Sequence, residues 1–124
     1  MAAHWQHDPE QHDFAAASDY LSLVLPPKKV AAAVERLRSE QTVDRKAKDL
    51  LRASRLPLLS PDDPAVRRDL EKVASGKKLS PVLLVRGSAG KDVPLTIVDG
   101  YHRICASYHL DEDEDVACRI TDLS

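Results

Sequence analysis

Two short apolar runs, Val82-Leu83-Leu84-Val85 and Leu95-Thr96-Ile97-Val98, constrain this chain more than any other feature. The first is unbroken by polar residues, as expected for a strand covered on both faces. The second is rich in β-branched residues and runs directly into Asp99-Gly100 and a helical stretch, Tyr101 to Leu110. A strand that must become a helix within two residues needs a tight turn. The rest of the chain must bury both runs. With 124 residues the chain is long enough for one domain with a modest core.

The helices that would bury them precede the runs. An alanine-rich stretch from Phe14 to Leu25 reads as a helix that Pro26 and Pro27 end. A second, Lys28 to Arg38, carries the stripe Val30, Val34 and Leu37. A third, Val43 to Ala53, places Val43, Ala47, Leu50 and Leu51 on one face. Leu56 to Leu59 is too short for a helix and reads as an edge strand, where Pro57 is tolerated. The next helix is well punctuated. Asp62 or Asp63 caps it, Pro64 suits its first position and Gly76 closes it, with Val66, Leu70 and Val73 as its buried stripe. Gly87 to Lys91 is a turn. After an acidic loop, Asp111 to Asp115, the alternation of Val116, Cys118 and Ile120 with Ala117 and Arg119 reads as a half-buried last strand.

The expected fold class is therefore α+β, a single domain over residues 1–124. Residues 1–12 are a polar tail, 13–54 are N-terminal helices and 55–124 are an α+β core. In the tail His4, His7 and His12 lie near Asp8 and Asp13, but nothing fixes the imidazoles, so no metal site is assigned. Cys105 and Cys118 form no Cys-x-x-Cys pair and read as small buried residues. A reducing, cytoplasmic setting is expected. No apolar run approaches the length of a membrane span, and no targeting segment is visible.

A net charge of −2 and 4% aromatic residues argue against a general nucleic-acid binder. The helices up to residue 55 do carry Lys28, Lys29, Arg36, Arg38, Arg45, Lys46, Lys48, Arg52 and Arg55. Solvated faces explain these best, and a DNA-binding edge is not favoured.

The chemistry concentrates at Asp99-Gly100-Tyr101-His102-Arg103. The first N–H groups of a helix have no partners within it, and its dipole makes that end positive. Glycine lets a ligand approach the backbone, and arginine offers a planar fork to phosphate oxygens. Together these describe an anion site. His102 adds a donor or a proton-transfer group. Tyr101, Ile104, Cys105 and Tyr108 form a core stripe instead, and His109 suits the helix's C-terminal end.

The stretch Gly76 to Val85, with Pro81 opening the strand, followed by Gly100-Tyr101-His102-Arg103-Ile104-Cys105-Ala106, resembles the N-terminal domain of ParB-like proteins in the ParB/sulfiredoxin-like superfamily. Gly100, Arg103 and Ala106 match the Gly-x-x-Arg-x-x-Ala motif that opens the family's helix. The resemblance covers about residues 55–122. It implies a small mixed sheet with packed helices, here with an added N-terminal helical region. It also implies a nucleotide ligand such as CTP, ATP or ADP, with Mg2+ accompanying the phosphates. The amides of Gly100, Tyr101 and His102 would hold phosphate and Arg103 would clamp it, with Lys77 and Lys78 within reach. Sulfiredoxins carry a catalytic cysteine where this chain has Tyr101, so repair by that nucleophile is excluded. The DNA-binding and dimerisation regions of partition proteins have no counterpart here.

The expected function is binding of a nucleotide or other phosphorylated ligand at residues 99–103. As a nucleotide hydrolase or phosphotransferase, the protein would use Asp99 or His102 as base. The alternative is a non-enzymatic interaction module whose N-terminal helices dock on a partner or a second copy.

Overall fold

The computed structural model describes residues 3–123. The elements in chain order are α1 (Gln11–Leu21), α2 (Pro27–Ser39), β1 (Val43–Lys46), α3 (Ala47–Ser54), α4 (Pro64–Ala74), β2 (Val82–Val85), a 3-10 turn (Ala89–Lys91), β3 (Thr96–Asp99), α5 (Tyr101–Leu110) and β4 (Asp115–Thr121). The fold is α+β, with one mixed four-stranded sheet in the order β1-β4-β2-β3. β2 runs parallel to β4, and the outer pairs β1–β4 and β2–β3 are antiparallel.

The all-apolar sequence of β2 has a direct structural cause. Successive side chains of a strand point to opposite faces, and both faces here are covered. Val82 and Leu84 enter one core with Leu50, Val66, Ile104 and Val116. Leu83 and Val85 enter a second core with Phe14, Leu21, Val30 and Leu37. Helices α1 and α2 cover one face of the sheet, and α3, α4 and α5 cover the other.

Helix punctuation follows the sequence. The Asp63 carboxylate accepts from the amides of Ala65 (3.0 Å) and Val66 (3.1 Å), Pro64 opens α4, and Gly76 takes φ 81 beyond it. α5 spans the expected Tyr101 to Leu110.

Three expectations change. The helix expected over Val43 to Ala53 begins as a strand. Val43 to Lys46 pairs antiparallel with β4, and only then does α3 start. Its first amides, on Ala47 and Lys48, donate to the carbonyls of Glu114 and Glu112 at 3.0 Å each, so the acidic loop supplies the start of α3. Leu56 to Leu59 forms no strand. Side chains of α5 satisfy this segment instead: the Tyr101 hydroxyl donates to the Pro57 carbonyl, and His109 Nε2 lies 2.6 Å from the Leu59 carbonyl. The last strand is buried over Val116 to Arg119 on both faces rather than half-buried.

The polar tail is docked. Trp5 is 1% exposed, and the backbone of residues 4–6 pairs with Leu79 ahead of β2. Apolar stripes of residues 28–54 are used internally, with Val30, Leu37, Ala47, Leu50 and Leu51 all buried.

Arg119 explains how a cation sits within a buried strand. Its guanidinium donates to the carbonyls of Leu37 (3.2 Å) and Arg38 (2.9 Å), to Thr42 Oγ1 (3.1 Å) and to Asp8 Oδ1 (3.0 Å). It thereby satisfies carbonyls at the C-terminal end of α2 that the helix itself leaves unpaired. Arg119→Met keeps the volume and leaves those carbonyls without donors. It is expected to lower unfolding free energy by roughly 2–4 kcal/mol, read as a lower urea midpoint at unchanged slope.

Candidate functional site

The turn from β3 to α5 opens on a cleft of about 640 Å3, within the range of small-ligand sites. Three walls build it: the start of α1, the outer face of α4 with the chain that follows it, and the turn itself. The structure brings Asp99, Gly100, His102 and Arg103 together with Lys77 and Lys78 in this cleft. The Tyr101 side chain is not part of the lining and is committed to Pro57.

Gly100 is required by the turn. It sits at φ 107, and a Cβ there would lie 2.3 Å from Val82 Cγ1 and 2.9 Å from an Arg103 nitrogen. The strand–helix handover therefore depends on backbone packed directly against β2. No side chain caps α5, so the helix's first amides are not covered from that direction. Gly100→Ala is expected to cost about 2–5 kcal/mol, from left-handed strain and overpacking together. Thermal unfolding would show it as a depressed midpoint.

Arg103 is not a free clamp. Its Nη2 lies 2.7 Å from Asp99 Oδ2 and 3.5 Å from Asp13 Oδ1, while Nη1 donates to the Ser80 carbonyl and hydroxyl. The Asp13 side chain is 3% exposed and also accepts from the Glu10 amide at 2.8 Å, as part of the box that starts α1. The guanidinium that the sequence offers to phosphate is already shared by two internal carboxylates.

Burial lifts the Asp99 carboxyl above its ordinary range. Arg103 opposes the rise and the neighbouring Asp13 carboxylate adds to it. The folded state thus binds the Asp99 proton more tightly than the unfolded chain does. Its contribution to stability is greatest below the ordinary carboxylate range and declines as pH rises through the elevated folded pKa. Asp99→Asn is expected to lose this decline. Unfolding midpoints of the two proteins, compared across acidic pH, would show it as a changed slope.

The cleft's other wall is basic. Arg68 and Lys72 lie one turn apart on α4, opposite its buried stripe, and Lys77 and Lys78 follow Gly76. Among the described residues, none of the four has a carboxylate within ion-pair distance. Other cations mostly do: Lys48 with Asp113 (2.6 Å), Arg86 with Asp122 (3.0 Å) and Arg52 with Asp49 (3.0 Å). One carboxylate, Asp69, lies among the four, and burial lifts its pKa while Lys72 and Arg103 pull it back. The motif at 99–103 does not point to Arg68, Lys72 or Asp69, which the fold brings to it. The two cations do carry a sequence signal, an i, i+4 pair on the polar face of α4, and they line the same cleft as Lys77 and Lys78.

His102 is about half exposed and lies 4.0 Å from Asp63. Ligand atoms of Glu10, His12 and Asp13 lie within 4.8 Å of one another, so the three could hold a metal ion. Asp13 is already bound to an amide and to Arg103, however, and Mg2+ prefers several oxygen ligands in octahedral geometry. The set therefore does not fit Mg2+, and the start of α1 accounts for it. The two cysteines are free and buried. Burial pushes Cys118 up to about 12 and raises Cys105, so neither thiol is poised as a nucleophile.

Comparison with known proteins assigns no family: no family model, no curated protein and no solved structure matches the chain.

Proposed function

We propose that the cleft between the start of α1, α4 and the 99–103 turn binds a nucleotide or another phosphorylated ligand. One observation carries this reading: four cations without ion-pair partners among the described residues, Arg68, Lys72, Lys77 and Lys78, line the cleft into which the uncapped α5 turn opens. Unpaired like charges held together repel one another, and a bound polyanion relieves that repulsion. The Gly100–Arg103–Ala106 pattern and its resemblance to ParB/sulfiredoxin-like domains point the same way.

The roles differ from those the motif alone suggests. Arg103 braces the turn through Asp99 and Ser80. Lys77, Lys78 and the α4 pair supply the charge, and the amides of Gly100, Tyr101 and His102 remain candidates for phosphate oxygens. If turnover accompanies binding, as in a nucleotide hydrolase or phosphotransferase, the base falls to His102, because the Asp99 carboxylate is engaged by Arg103. Mg2+ would then enter with the phosphates. Two free, buried thiols suit a cytoplasmic setting. No helix among the described residues is long and apolar enough to cross a membrane.

An exposed apolar stripe on residues 28–54 would favour the alternative, an interaction module docking through its N-terminal helices. Val30, Leu37, Ala47, Leu50 and Leu51 instead pack on the sheet and its helices, while Val43 is part-exposed.

Calorimetric titration with CTP, ATP, ADP and GTP, with and without Mg2+, tests the proposal. Binding is expected, and replacing Lys77 and Lys78 together by Ala should weaken it by about tenfold or more. Absence of heat with every nucleotide, or unchanged affinity in the double variant, would count against it.

A further inference from the structure

The composition of the cleft narrows the ligand. The lining contains no Trp, Tyr or Phe, and its only rings are the imidazoles of His12 and His102. Its aliphatic side chains are Ala65 and Leu79. Base recognition in open sites relies on aromatic faces or apolar slots, and stacking on an aromatic residue contributes roughly 1–3 kcal/mol per base. Nothing of that kind is present. The basic wall is strong by contrast: four cations against the single carboxylate of Asp69 leave three positive charges on one side of the cleft. A phosphate monoester carries only about −1.5 to −2, which leaves the wall overcharged. A chain of two or three phosphates matches it.

The opposite corner fits the same ligand geometry. Glu10, Asp13 and Asp99 share the one guanidinium of Arg103 and the imidazole of His12, which lies 3.3 Å from Glu10 and 3.5 Å from Asp13. Glu10 and Asp13 disfavour an anion beside α1 and so direct it towards the basic wall of α4.

We propose that the site recognises a diphosphate or triphosphate group through Arg68, Lys72, Lys77 and Lys78 and does not read the base or sugar attached to it. This rests on the phosphorylated-ligand reading above and restricts it. The ligand class is then pyrophosphate, tripolyphosphate or any molecule that presents such a group, with nucleotides as members rather than as the specific target.

The test is calorimetry on the full chain, at fixed ionic strength, with inorganic phosphate, pyrophosphate, tripolyphosphate, ATP, CTP and adenosine. The expected result is equal affinity for tripolyphosphate, ATP and CTP within about threefold, no binding of adenosine, and at least tenfold weaker binding of phosphate than of pyrophosphate. Lys72→Ala and Lys77→Ala should each weaken pyrophosphate binding severalfold. Arg52→Ala, outside the cleft, should leave it unchanged. If ATP or CTP binds more than tenfold tighter than tripolyphosphate, or the two differ from each other by that factor, the restriction fails and the broader reading stands. If phosphate binds as tightly as pyrophosphate, the charge-matching argument fails. If none of the anions binds, both readings fail.

Discussion

One guanidinium ties the functional region together. Arg103 rises from the first turn of α5 and reaches back to Asp99 at the end of β3, to Ser80 ahead of β2 and to Asp13 in the first turn of α1. Three separate stretches of chain, 99–103, the one ahead of β2 and the start of α1, therefore meet at a single planar cation. An arginine shielded from most solvent is tolerated only when its donors are satisfied, and here two carboxylates with the Ser80 carbonyl and hydroxyl do so. The strand-to-helix turn is held rigid by this arrangement and by the contact of Gly100 with Val82. Rigidity of the turn and availability of its arginine for a ligand are in competition, and the geometry favours the former.

A buried arginine, Arg119, plays a parallel role further along the sheet. Arg119 links β4 to the end of α2 and to Asp8 in the N-terminal segment. The two cations thus fasten the same α1–α2 layer at opposite places. A 124-residue chain has little core to spare on each face of a sheet. Satisfying helix-end carbonyls and loop oxygens with two long donors lets short elements pack without leaving polar groups unpaired.

Much of this architecture was legible in the sequence wherever local chemistry decides the structure. The cap at Asp63, Pro64, the left-handed Gly76 and the Gly100 turn fixed α4 and α5, and the unbroken apolar run of Val82 to Val85 marked a strand buried on both faces. Tertiary pairing decided the rest. Val43, Ala47 and Leu50 follow helical spacing, yet Val43 to Lys46 is captured by the edge of β4. Leu56 to Leu59 looks like a strand, but no strand edge pairs with it and α5 side chains take its carbonyls. At the site, Gly100, Lys77, Lys78 and the turn could be read from sequence. The partnership of Arg103 with Asp13 could not, because it joins the two ends of the chain and leaves no local pattern.

The docking of the N-terminal segment has a spectroscopic consequence. The chain contains one tryptophan, Trp5, and its indole is buried in the core with no hydrogen-bond partner for Nε1. Such a ring, shielded from water, emits at short wavelength, and release of the first few residues would move its emission to the red. Intrinsic fluorescence in this molecule is therefore a report on whether its leading segment is seated against Leu79, and only indirectly on the integrity of the sheet beneath.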